Sequence, residues 1–391
     1  MSAFSHVSTQ QSITGPWPDV ATARSFLKVL AVYPAGGVLP EAVRSVDVQT
    51  LAAWLKGADL GPLAYAASGL GWPELTRLLQ PDVYSAMAEM SLRLNNVREI
   101  SGVLSEAGIP ALWLKGVALG QTIYPEAWLR TMSDVDVWLP EEWMEAALTA
   151  LQGKGYQIHA GREERPLALQ QLSQGEIKLT RSGEYPQLVE LHWGPLAGWW
   201  MARTTAVDSL AMWARRESLP GVPGGYQLEA VDMTLQVAVH LAINHGFQAG
   251  AVRGLIDLAR LAQQRGVDWG EVAERAAAWR VGTAVSTVLE LLDQLIGVDG
   301  MEEKLAGIRP SAVRRYLLRR LVTPESVLAG RDVRQGWQRY ALLLLLVDRP
   351  RDAALLLWRT VWPEADWLAA RYGEPIGHGR HLWRLVRRRA V

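Results

Sequence analysis

Cysteine is absent from the 391 residues. That excludes disulfide frameworks, thiolate-bound zinc, iron–sulfur clusters and thiol nucleophiles, and it leaves the compartment open. Long apolar runs are absent too. The best candidate, Tyr340–Val347, is followed at once by Asp348, Arg349, Arg351 and Asp352, whereas a spanning helix needs about 20 apolar residues. A buried core helix, no membrane partner and a cytoplasmic location are therefore expected. Met1–Pro18 is rich in Ser, Thr and Gln but has no apolar h-region, so a flexible leader is expected rather than a signal peptide. There is no Walker A sequence and no G-x-S-x-G elbow, and Gly224-Gly225 is too short for a dinucleotide loop. Lysine is scarce (Lys28, Lys56, Lys115, Lys154, Lys178 and Lys304), and Phe is rare at 3 against 18 Trp. Many of the Trp fall at helical spacing, which points to helix packing.

What is present is ordinary globular material, 49% hydrophobic and 20% charged, long enough for two or three domains. The 40 basic and 40 acidic residues balance, but unevenly along the chain. Arg309–Val391 carries 17 Arg and 7 Asp or Glu, leaving 23 basic and 33 acidic residues ahead of it. The basic tail either docks on the acidic body or grips an anion such as RNA.

Periodicity divides the chain. A leader (1–18) precedes a helical region (19–94), with Asp19 capping a helix to Val32, a helix over Pro40–Leu55 and a longer one over Asp82–Ala107 that Gly108 ends. An α/β block over 95–219 follows. Its expected strands are Ala111–Leu114, Val135–Leu139, Tyr156–His159, Glu176–Thr180 and Leu188–Trp193, with helices over Val117–Tyr124 and Glu141–Gly153. Pro220–Gly225 reads as a linker. The remainder, 226–391, reads as helical, including Leu228–Asn244, Val252–Gln264, Glu271–Ile296, Trp337–Val347 and Asp352–Val361.

The segment Ser133-Asp134-Val135-Asp136-Val137 is the most informative. Alternation along a strand puts Asp134 and Asp136 on one face. Two such carboxylates repel unless a cation lies between them, and Mg²⁺ suits the pair because it takes a few carboxylates and fills its shell with water and phosphate. The alternative is an edge strand with solvated Asp. Glu190, on another expected strand, could add a third acid. Lys115-Gly116 stands at a strand-to-helix turn, where free N–H groups favour phosphate. Gly116 would permit close backbone approach and Lys115 would add a mobile charge. Arg130 could contact phosphate or brace the acids. His192 could orient Glu190 or touch substrate, or be a satisfied structural His. His240 suits packing or a base contact, and Asp257 suits pairing with Arg253 or Arg260.

This order of elements resembles the nucleotidyltransferase fold of the DNA polymerase β superfamily. Within it, the chain is similar to a large, mostly uncharacterised bacterial nucleotidyltransferase family with an L-K-G element. The matching residues are Leu114-Lys115-Gly116, Tyr124-Pro125, Arg130, Ser133-Asp134-Val135-Asp136, Gly155-Tyr156 and Glu190-Leu191-His192-Trp193, with His240-Leu241, His245-Gly246 and Asp257-Leu258 in the helical part. The resemblance is good over about 95–265 and weaker elsewhere.

It implies an α+β fold, a small polymerase-β-like mixed sheet flanked by N- and C-terminal helical domains. It implies Mg²⁺-dependent transfer of a nucleoside monophosphate from an NTP, with ATP the first guess, by a two-metal mechanism. Asp134, Asp136 and Glu190 would be catalytic and hold two Mg²⁺. Lys115, Gly116, Arg130 and Ser133 would bind nucleotide phosphate, and His192 and His240 are possible substrate contacts. One departure stands out: the wider superfamily usually has Gly-Ser at the phosphate turn, where Lys115-Gly116-Val117 has no hydroxyl. The hydroxyl-type acceptor could be a small molecule, a peptide or protein, or RNA. A degenerate nucleotide-binding scaffold and an RNA or tRNA 3′-end modifier using the basic C-terminus are the alternatives.

Overall fold

The computed structural model describes residues 19–387 except 36–40, 70, 160–165, 174, 184–186, 197, 249, 331–333 and 335. The expected leader lies outside the described residues. Asp19 caps the first helix, Val20–Val32, accepting from the Ala21 and Thr22 amides. The expected helix over 40–55 is two pieces, Glu41–Arg44 and Val48–Gly57, because Asp47 starts a new cap on Thr50 N–H. The long helix begins earlier than expected, running Pro73–Glu106 with Pro81 inside it. A proline normally interrupts a helix, but Leu75, Leu79 and Val83 on either side are fully buried, and that packing carries the helix through.

One mixed sheet of seven strands forms the centre: β1 Ala111–Trp113, β2 Val135–Trp138, β3 Gln157–Ile158, β4 Glu176–Arg181, β5 Gln187–His192, β6 Glu217–Ser218 and β7 Gly225–Gln227. Their order is β3-β4-β5-β2-β1-β7-β6. β2 runs parallel to β5 and β1 parallel to β7, and the other neighbours are antiparallel. The architecture is thus α+β. The supposed linker needs correction. Residues 220–224 are the turn of a hairpin whose strands β6 and β7 extend the sheet past β1. The Pro- and Gly-rich turn looks like a linker because β6 and β7 are too short to give a period. Gly225 is required there by space, since a Cβ would meet Trp113 at 2.9 Å and Val222 at 2.8 Å.

The helices before and after the sheet pack on each other as well as on it. Trp54 is fully buried and donates to Leu328 O at 2.8 Å. Arg260, 1% exposed, donates to the carbonyls of Ile123, Leu30, Ala31 and Tyr33. From the basic tail, Arg319 pairs with Glu290 of the preceding region, whereas Arg314 donates to Val347 O and Asp348 O within the tail itself and the tail's Glu364 accepts from Arg203. Burial differs among the Trp: Trp54 and Trp113 are core, whereas Trp337, Trp358 and Trp383 are more than half exposed. Among the described residues, no helix is long and apolar enough to cross a membrane.

Candidate active site

The parallel pairing of β2 with β5 sets Asp136 opposite Glu190, and β4 with β5 sets Lys178 opposite Glu190. One step along, Glu176 stands opposite His192. Paired positions point to the same side of a sheet, so one face gathers Asp136, Glu190, Lys178, Glu176 and His192. Asp134, just before β2, is half-buried and lines the same cavity of about 270 Å³, as do Lys115, Gly116, Arg130, Ser133 and His240. All nine residues singled out by sequence therefore border one space.

Lys115 is the first residue of the helix Lys115–Thr122 and has φ +44°. A non-glycine residue in that region costs about 1–3 kcal/mol. The side chain it projects makes a 2.6 Å ion pair with Asp136 Oδ1. Burial works against the ammonium, but Asp136 and then Glu190 and Asp134 raise its pKa above the usual lysine value. Asp136 is 3% exposed and also accepts His192 Nε2 at 2.9 Å. Burial would pull its carboxyl up, yet Lys115 and His192 hold it well below the usual range. Asp134 goes the other way, raised by burial and by the charges of Asp136 and Glu190. Glu190 is raised by burial and by Asp136 and Glu176, although Lys178 Nζ sits 2.8 Å from its Oε1.

Gly116 serves a purpose the sequence hides. A Cβ there would meet Arg130 Nη1 and Met132 Cβ, both at 2.8 Å, so the missing side chain admits Arg130. Arg130 in turn is clamped by Asp257, with Nε and Nη2 donating to its carboxylate at 2.9–3.2 Å. Asp257 therefore pairs with an Arg, but with Arg130 rather than Arg253 or Arg260. Arg253 pairs with Asp59 at 3.0 Å and Arg260 binds carbonyls. The Ser133 hydroxyl donates to Asp134 Oδ1 at 3.1 Å, and its carbonyl accepts from Arg93 at 2.6 Å.

Sequence reasoning missed three contributors, Glu176, Lys178 and Gln236, and assigned no role to a fourth, His245. Glu176 and Lys178 alternate along β4 in register with Glu190 and His192, a signal visible only once strand order is known. Gln236 lines the cavity fully buried, and its Oε1 has no partner among the described residues. His245 stands five residues from His240, out of α-helical phase. The helix Ala230–Val239, however, passes into a π-helical turn, His240–Asn244, and this brings the two imidazoles edge to face at 4.6 Å.

Both rings are kept neutral. His240 is pushed well below its ordinary pKa by burial, then by Lys115 and His245. His245 is lowered from 6.5 to about 4 by burial, then by Arg253. The unfolded chain therefore binds protons on these groups that the folded protein refuses. Stability falls as pH drops from about 6.5 to about 4. Thermal melts of the metal-free protein should follow that slope, and His245→Asn should make it shallower. An unchanged slope would contradict this account.

Among the described residues, one Asp, Glu and His group can hold a metal ion: Asp136, Glu190 and His192 offer donor atoms all within 4.8 Å of one another. Carboxylates and imidazole are ordinary ligands for a divalent ion. Residues 44–297 match a protein family described as uncharacterised nucleotidyltransferase. No curated protein matches the chain.

Proposed function

The chain belongs to this nucleotidyltransferase family, and from that premise we propose that it moves a nucleoside monophosphate from an NTP, with ATP the first candidate, to a hydroxyl acceptor. Asp134, Asp136 and Glu190 would hold two Mg²⁺ ions. The observation that carries this reading is the strand register that sets Asp136 opposite Glu190 on a cavity wall shared with Lys115. Divalent ions bound by these acids would supply charge stabilisation for the attacking and leaving oxygens.

The chain's own groups do the rest. Lys115 and the N–H groups opening its helix would offset the charge of the departing pyrophosphate. Arg130, locked by Asp257, adds fixed positive charge behind them, and Ser133 orients Asp134. The acceptor oxygen bonds to the α-phosphorus as the bridge to the β-phosphate breaks. Its proton passes to Glu190, the acid across from Asp136 on the cavity wall. Gln236 Oε1 offers a free acceptor to a substrate N–H or O–H. Positioning and electrostatics suffice for such a transfer.

Protein incubated with Mg²⁺, α-labelled NTPs and cell extract should yield a labelled product, and Glu190→Gln should lower labelling by about 10²-fold. Equal labelling by both proteins overturns the proposal. One observation favours a second reading, nucleotide binding without turnover: Lys115 is held on Asp136 and the turn has no hydroxyl. Calorimetry would then show Mg-NTP binding while no product is labelled.

A further inference from the structure

We propose that His192 is itself a metal ligand, and that with Asp136 and Glu190 it forms a site that selects a first-row transition ion such as Mn²⁺ over Mg²⁺. The inference rests on the metal-dependent transfer proposed above and deepens it at the acceptor-side position.

The first support is orientation. His192 is buried, and its Nε2 lies 2.9 Å from Asp136 Oδ1 and 3.8 Å from Glu190 Oε2. Its other ring nitrogen, Nδ1, faces Glu176 Oε2 at 3.6 Å. Metal-binding histidines commonly keep one nitrogen on the ion side and turn the other to a carboxylate, and Glu176 is close enough to take that place with a shift of a few tenths of an ångström. Glu176 is placed for this by register, directly across from His192 in the sheet. A histidine that served only to brace Asp136 would not need the second carboxylate.

The second support is charge. Asp134, Asp136, Glu176 and Glu190 line the cavity against the two ammonium groups of Lys115 and Lys178. The remaining cations of the wall are committed elsewhere, Arg130 to Asp257 and Arg253 to Asp59. The four carboxylates outnumber the two ammonium groups by two, and Asp136, Glu176 and Glu190 are largely buried, where uncompensated charge is costly. One divalent ion supplies that balance.

The donor set then decides which ion. Mg²⁺ is bound through oxygen, whereas first-row transition ions, from Mn²⁺ at the weak end of the series upward, bind imidazole nitrogen better than Mg²⁺ does, so a mixed set of two carboxylates and one imidazole shifts preference toward them. Both Lys115 and Lys178 sit on the acids in the structure. An arriving ion therefore takes their places on Asp136 and Glu190 and frees both ammonium groups toward the nucleotide.

Mn²⁺ alone is the probe, added to the full chain without nucleotide. Electron spin-echo measurements on the Mn²⁺-loaded protein should show a directly bound ¹⁴N that disappears in His192→Gln. Calorimetry should give Mn²⁺ at least about tenfold tighter than Mg²⁺, a gap that closes in His192→Gln. Glu176→Gln should weaken Mn²⁺ by about 10- to 100-fold. Mn²⁺ bound with no ¹⁴N coupling in the wild type, or with coupling that survives His192→Gln, overturns the inference and leaves the transfer reading standing. If His192→Gln does not fold, the wild-type spectrum still decides. Absence of binding by either ion, even with NTP present, removes both.

Discussion

Asp136→Asn is expected to lower nucleotidyl transfer by at least about 10³-fold, equivalent to about 4 kcal/mol of transition-state stabilisation, with a smaller loss of stability. Asp136 is the residue on which the site converges. It accepts both Lys115 Nζ and His192 Nε2, stands opposite Glu190, and is held more acidic than any neighbour by those two partners. An amide of the same shape keeps one acceptor for Lys115 but loses the charge that a divalent ion requires. It also relieves the repulsion that raises Asp134 and Glu190, which offsets part of the stability lost with the charge that Lys115 and His192 favour. Rates of label transfer, read beside Tm, separate these effects. Full activity in the variant would show that the acids are not the reaction centre, and a large fall in Tm would show that Asp136 is chiefly structural.

The second large effect concerns the pair behind the site. Asp257→Ala is expected to destabilise the protein by about 3–5 kcal/mol. It would strand Arg130, buried and bidentate on that carboxylate, and deprive the Tyr124 hydroxyl of its acceptor at 2.7 Å. Replacing both charges, as in Arg130→Met with Asp257→Leu, should recover part of the loss, since an apolar pair avoids the desolvation cost of an orphaned guanidinium. Urea unfolding of the two single variants and the double variant measures this. If the double variant loses the sum of the singles, the pair is not coupled. The clamp joins the turn before β2 to the helix Ala251–Arg265, so Asp257→Ala should also slow transfer by letting Arg130 drift from Gly116.

Much of this was legible in the residues because the physics is local. Asp19 and the Ala21 and Thr22 amides form a cap that the sequence spells out. The alternation of Asp134 with Asp136, and of Glu190 with His192, gives the face before any strand order is known. The rest needed partners that no local pattern names. Glu176 and Lys178 join the site only because β4 lies beside β5. β6 and β7, two and three residues long, carry no period and hide behind their Pro- and Gly-rich turn. Asp257 could be matched to an arginine by proximity in sequence, yet its partner is 127 residues away. Gly116 also makes room for Arg130 beside it, a purpose that no local pattern names.

The wide turn at His240–Asn244 holds a surplus residue in an otherwise regular helix. Each α-helical residue advances by about 100°, so excising one of Leu241, Ala242 or Ile243 would close the coil to its normal pitch and swing everything downstream through that arc. His245 would leave its neighbour ring, and Arg253 and Asp257, one helix further on, would be carried out of alignment with Asp59 and Arg130. The spacing of the whole rear wall is thus set by a phase offset of a single amino acid, and length in this stretch should tolerate change less than side-chain identity does.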